Sequence, residues 1–201
     1  MSRFLDALRE RVLLCDGGTG SRVQAMSLDV DRDYLGNENC TEVLVKSRPD
    51  IVREIHRGYL EAGADCVQTN TFGASPITLG EFGLEAEAHW INKRAAELAR
   101  EATEAFARDG RPRFVIGSIG PGTKLPSLGH VGYDELEQAL AVQAKGLVAG
   151  GVDAFLVETC QDPLQIKAAV NGAKIARAAA KAEQAKLKQR GQSGYIAEIR
   201  K

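Results

Sequence analysis

Two carboxylates carry the first chemical suggestion in this chain. Asp16 follows the apolar run Val12-Leu13-Leu14-Cys15 and opens Asp16-Gly17-Gly18-Thr19-Gly20. Glu158 follows Asp153-Ala154-Phe155-Leu156-Val157 and opens Glu158-Thr159-Cys160-Gln161-Asp162. A buried strand that ends in a carboxylate presents its charge at the rim of a sheet, where α/β folds bind ligands. Two such ends on one rim could grip a cation such as the ammonium of an amino acid. Each residue also has a plainer reading. Asp16 before its glycines could close a tight turn, and Glu158 could pair with a cation from a neighbouring loop such as Lys124. A third reading makes the two an acid/base pair.

Other polar segments stand at similar places. The glycines after Asp16 could form a nest of N–H groups for an anion. They lack the Lys of a P-loop and the spacing of a dinucleotide fingerprint. Thr69-Asn70-Thr71-Phe72-Gly73 could hydrogen-bond a ligand or only satisfy its own loop. Gly117-Ser118-Ile119-Gly120-Pro121 has small residues that let backbone approach a ligand. His56 and His89 fall within helical stretches, as surface or packing residues, whereas His130 lies in a glycine-rich loop. The cysteines Cys15, Cys40, Cys66 and Cys160 show no C-x-x-C spacing and read as reduced thiols.

Alternating elements must position these residues. Short apolar runs at 12–15, 65–68, 114–119 and 153–157 read as strands. Between them lie helical stretches. Pro49 suits a first helical turn, and Ile51, Ile55 and Tyr59 form one stripe ended by Gly63. The Ala/Glu/Arg-rich segment from about 84 to 108 reads as helix, as do 133–148 and a long Ala/Lys-rich stretch from Pro163 to about Gln189. Strand–helix alternation predicts α/β with parallel strands, since parallel neighbours need a crossover. The loops after the first and third runs are long, and Gly36-Asn37-Glu38-Asn39 is turn chemistry.

At 201 residues and net charge −1, the chain is long enough for one domain with a core and does not read as a nucleic-acid binder. Residues 174–201 carry eight Lys/Arg against two Glu, a net of +6 that leaves −7 on the remainder. That end reads as a solvated basic helical tail, loosely ordered from Gly191 as a frayed end or short strand. No apolar run spans a membrane, and Met1–Arg11 lacks a signal peptide's apolar core, so the expected location is the cytoplasm.

Taken in order, these motifs resemble the homocysteine S-methyltransferase family, with a closer likeness to the N-terminal homocysteine-binding module of cobalamin-dependent methionine synthases. The matching pieces are Leu14 to Gly20, Ser47-Arg48-Pro49-Asp50-Ile51-Val52, Gly63-Ala64-Asp65, Thr69 to Ala74, Gly117 to Pro121 and Val157-Glu158-Thr159. They span about residues 10–175. The resemblance implies a TIM-type (β/α)₈ barrel whose zinc is held by three cysteines from later strands and binds the homocysteine sulfur. A free thiol with a pKa of about 8.5 is mostly protonated at neutral pH, and metal binding deprotonates it. The thiolate then attacks a methyl group delivered from methyltetrahydrofolate by way of cobalamin, from S-methylmethionine or from betaine.

On matching positions, the resemblance makes Asp16 and Glu158 anchors for the ammonium. Gly17, Gly18 and Ser118 would serve the carboxylate, with Thr69 and Asn70 lining the site. The chain departs from the family in length and in cysteines. A barrel takes about 250 residues, whereas four strand–helix units are legible here, and the family's zinc-binding cysteine motifs are absent. The expectation is a half-barrel over 1–175 followed by a basic helical tail over 176–201. Its partners would be homocysteine together with a second half-barrel, a corrinoid module or another copy of itself. Cobalamin and folate would act only through other modules. The alternative expectation is a non-catalytic amino-acid-binding or scaffold remnant.

Overall fold

The computed structural model describes residues 3–107 and 110–189. The expected tail or strand at 191–201 lies outside them. In chain order the helices are α1 (Arg3–Glu10), α2 (Thr19–Gln24), α3 (Leu44–Ser47), α4 (Pro49–Glu61), α5 (Pro76–Gly80), α6 (Ala88–Phe106), α7 (Tyr133–Ala149) and α8 (Pro163–Gln189). The strands are β1 (Cys66–Gln68), β2 (Phe114–Ile119) and β3 (Ala154–Val157), parallel and in that spatial order. Cys66 is in register with Phe114, and Ile116 with Ala154. The helix expected from about 84 begins as a 3-10 turn at Glu85–Glu87, and α8 runs unbroken across position 175 with Ala176 buried.

The first expected strand, 12–15, is reduced to one parallel bridge between Cys15 and Cys66. Two features account for this. The Gln68 N–H, the next donor along the pairing, goes to the Asp16 side chain at 2.8 Å, not to a ladder carbonyl. Val12 is 82 % and Leu14 59 % exposed, so no described residue covers that side of the segment.

The sheet divides the core. On one face Val67 and Val115 meet Leu60 of α4 and Ala99 of α6, while Ile119, Phe155 and Val157 meet α7 and α8 residues such as Leu147 and Ala168. On the other face Cys66, Phe114, Ile116 and Ala154 cluster with Phe4 and Ala7 of α1. The Phe4 and Phe114 rings meet edge-on at 5.3 Å. Beyond this cover, Ser118, Leu156 and Glu158 continue the same face toward the C-terminal strand ends, because alternate residues of a strand share a side.

The N-terminal strand ends are tied by a repeated device. Gly63 and Gly151, both at positive φ (103° and 88°), end a helix two residues before an aspartate. Asp65 accepts the Leu14 N–H and two bonds from Arg11 at 2.8 and 2.9 Å. Asp153 accepts the Val115 N–H at 2.8 Å and pairs with Arg100 at 2.7 Å. Each carboxylate thus fixes the start of the neighbouring strand. The guanidinium of Arg11 holds the Asp65 carboxyl well below the usual range. The long loop after Cys15 is organised around buried Asp33, which pairs with Arg32 and Arg48 at 2.8 and 3.0 Å. No described helix is long and apolar enough to cross a membrane.

Candidate functional site

Asp16 and Glu158 come to the same, C-terminal end of the strands. The Asp16 N–H donates to Cys66 O at 2.9 Å, and its Oδ2 accepts the Gln68 N–H at 2.8 Å. Its Oδ1 is buried and has no hydrogen-bond partner among the described residues. Burial pushes the Asp16 carboxyl up to about 6; the Gln68 N–H opposes this, and the negative charge of Glu158 adds to it. Glu158 donates its N–H to Ile119 O at 3.1 Å and accepts the Ser118 hydroxyl on Oε1 at 2.6 Å. Thr159, next in the chain, sits at φ 58°, a left-handed conformation uncommon for a β-branched residue. Lys124, the expected ion-pair partner, lies 3.1 Å from Glu81 instead. Among the described residues neither site carboxylate has a cationic partner.

The other expected residues are engaged within the protein. The Thr69 hydroxyl meets that of Thr71 at 2.6 Å and accepts the Ser118 N–H at 3.1 Å. Asn70 donates to Thr41 O at 2.7 Å. These two residues build the loop after β1, and Ser118 alone of the three reaches a strand-end carboxylate. Gly17 and Gly18 pack against Tyr59 of α4. The Tyr59 hydroxyl donates to Gly18 O at 3.1 Å, and a Cβ on Gly17 would stand 3.0 Å from that hydroxyl. The His130 Nδ1 stays within its own loop, accepting the Leu125 N–H at 3.4 Å.

Five buried polar residues that the sequence did not single out hold the loops around the site. Glu42, buried with no cationic partner among the described residues, accepts the Gly73 N–H at 2.6 Å; burial raises its pKa. Asn92 of α6 donates to Ala74 O at 2.8 Å. Gln143 of α7 donates to Thr71 O at 2.7 Å and Ser118 O at 3.3 Å. Gln165 of α8 donates to Pro121 O and Lys124 O at 3.1 and 2.8 Å, and Asp162 accepts the Ser127 N–H at 2.9 Å. The available signal was a polar residue on the apolar stripe of a helix, as with Gln143 between Leu140 and Leu147. Gly120 is needed for close approach, since a Cβ there would lie 2.6 Å from Phe72 O.

This arrangement places two carboxylates, neither with a described cationic partner, at one end of the sheet. The family model for homocysteine S-methyltransferase matches residues 13–190. The chain belongs to the homocysteine S-methyltransferase family. It is 45 % identical over 173 residues to methionine synthase of Mycobacterium tuberculosis and 44 % identical over 173 residues to that of Mycobacterium leprae. In both cases the match covers 86 % of this chain and 14 % of the relative. The chain therefore spans a small part of the curated relatives it matches. Among solved structures, the metallated homocysteine methyltransferase MmuM from Escherichia coli shares the fold, with a TM-score of 0.69 at 24 % identity over 88 % of this chain and 62 % of that one.

The zinc that the family implies does not fit the residues described. No group of three or more His, Cys, Asp or Glu side chains among them is placed to hold a metal ion. Cys40 and Cys66 are buried, with thiols pushed up by that burial to about 11 and about 12, so they stay protonated at neutral pH. Cys160, near the site, donates to Glu158 O at 3.4 Å, and its pKa is also raised by burial. His56 is buried, with neither ring nitrogen bonded to a described group, and burial lowers it to about 4, as befits a packing residue.

Proposed function

We propose that this chain is a homocysteine-binding module of the methionine-synthase type, which presents the amino acid for methyl transfer to its sulfur to give methionine. The observation that carries the reading is the buried, unpartnered Asp16 Oδ1, with Glu158 adding negative charge and no cation nearby among the described residues. A substrate ammonium supplies the missing donor and the missing positive charge together. Ser118 orients Glu158, and the backbone N–H groups of Gly17 and Gly18 serve the substrate carboxylate. Thr69 and Asn70 keep the wall in shape. With the amino-acid end anchored, the sulfur is directed at an incoming methyl group, so the rate gain is one of orientation.

The same reading makes residues 1–175 the first half of a (β/α) barrel, with the basic end of α8 continuing to Gln189. Support comes from the sheet, whose outer members, the Cys15 segment and β3, have no further described neighbour. Leu156 of β3, and Ile166 and Val170 of the helix that follows it, are exposed. A second half-barrel, a corrinoid module or another copy would cover them, and cobalamin and folate would come with such partners in the cytoplasm. Calorimetry with homocysteine, methionine and deaminated homocysteine tests the reading: homocysteine should bind and its deaminated analogue should not. Equal heats for all three, or none, would refute it. A non-catalytic binding remnant is the second reading, favoured by the lack of a zinc-compatible cluster among the described residues. Homocysteine binding without turnover in a methyl-transfer assay with added zinc would select it.

A further inference from the structure

Gln143 lies on the packed face of α7, fully buried among Leu136, Leu140, Ala144 and Leu147. A buried amide is costly unless it is hydrogen-bonded, and here only half of it is. Nε2 donates to Thr71 O and Ser118 O, while Oε1 has no described partner. An apolar side chain of equal volume would fill the space without that cost, so packing alone does not account for the residue.

The two carbonyls it holds point to its role. Ser118 is gripped at both ends of its backbone: its N–H by the Thr69 hydroxyl at 3.1 Å, its C=O by the Thr71 hydroxyl at 2.8 Å and by Gln143. What that backbone aims is the Ser118 hydroxyl, 2.6 Å from Glu158 Oε1. We infer that Gln143 is a positioning residue for the amino-acid site, locking the loop after β1 to the end of β2 so that Ser118 holds Glu158 in its binding orientation. This rests on the reading that Glu158 anchors the ligand's amino group.

The test uses the full chain, the variants Gln143→Met, Ser118→Ala and the double variant, and homocysteine calorimetry beside a crystal structure of ligand-free Gln143→Met. Gln143→Met should weaken homocysteine about tenfold, and Ser118→Ala by a similar factor. The double variant should be no weaker than Ser118→Ala, because Gln143 acts through that hydroxyl. The crystal structure should show the Ser118 hydroxyl turned away from Glu158. Additive losses in the double variant, wild-type affinity in Gln143→Met, or a Ser118–Glu158 contact kept in its crystal structure would overturn the inference. If the wild-type chain does not bind homocysteine, the functional reading fails on its own and the crystal structure still decides the role of Gln143. Thr71→Val removes the other donor to Ser118 O and should act in the same direction, which keeps that carbonyl open to test should Gln143→Met not fold.

Discussion

The raised pKa of Asp16 ties ligand affinity to pH. In the free chain its carboxyl releases the proton at about 6, and an ammonium is held well only by the ionised form. Below that value binding must expel a proton. The ionised fraction falls from about nine-tenths at pH 7 to about one-tenth at pH 5, so the homocysteine Kd should rise about tenfold, or about 1.4 kcal/mol. Homocysteine keeps its own charges across this window. Stability should move the other way. The folded chain holds the proton up to about 6, whereas the unfolded chain releases it near 3.8. The advantage of the neutral form is therefore complete below about pH 4 and lost as pH rises through 6. At pH 7 the ionised group costs the fold about 3 kcal/mol. Asp16→Asn should then melt higher than wild type at pH 7, bind homocysteine about 10- to 100-fold more weakly, and show a flat Kd between pH 5 and 7. Calorimetry across that range, with a melting curve at each pH, measures all three. A wild-type Kd that does not change from pH 7 to 5, or a variant that keeps the slope, would refute the reasoning.

Three further outcomes follow from single residues. Buried His56 has its folded pKa lowered to about 4, so its contribution is present above 6.5 and lost as pH falls toward 4, by about 3 kcal/mol; His56→Leu should flatten that acid limb in thermal melts, and an unchanged limb would show that another group sets it. Asp65→Ala removes the carboxylate that joins the Leu14 N–H to Arg11, so chemical denaturation should show a loss of about 1–3 kcal/mol; a loss within error of zero would contradict the tie between the Cys15 segment and β1. Gly120→Ala forces a Cβ to within 2.6 Å of Phe72 O, so it should cost about 1–3 kcal/mol and loosen homocysteine binding; wild-type stability and affinity would show that the loop gives way freely.

The alternation of strands and helices was legible because apolar runs, Pro49 and the glycines at 63 and 151 mark it by local chemistry. The strand-end carboxylates were legible for the same reason: each follows an apolar run directly. The weakness of the first strand was not, since 12–15 is as apolar as the others. What ends its ladder is a side chain, the Asp16 carboxylate taking the N–H of Gln68, 52 positions away. The hydrogen bonds of Thr69 and Asn70 into their own surroundings, and the holding role of Gln143 and Glu42, depend on residues as many as 72 positions apart meeting in the fold. Periodicity carries no record of such contacts. A polar residue among apolar helix positions only flags that some partner must exist.

The central claim is that Asp16 and Glu158 together hold the nitrogen of homocysteine. A crystal structure of the full chain soaked with homocysteine tests it most directly. The ammonium nitrogen should lie within about 3 Å of both Asp16 Oδ1 and a Glu158 carboxylate oxygen. A bound homocysteine whose nitrogen contacts neither carboxylate would contradict it.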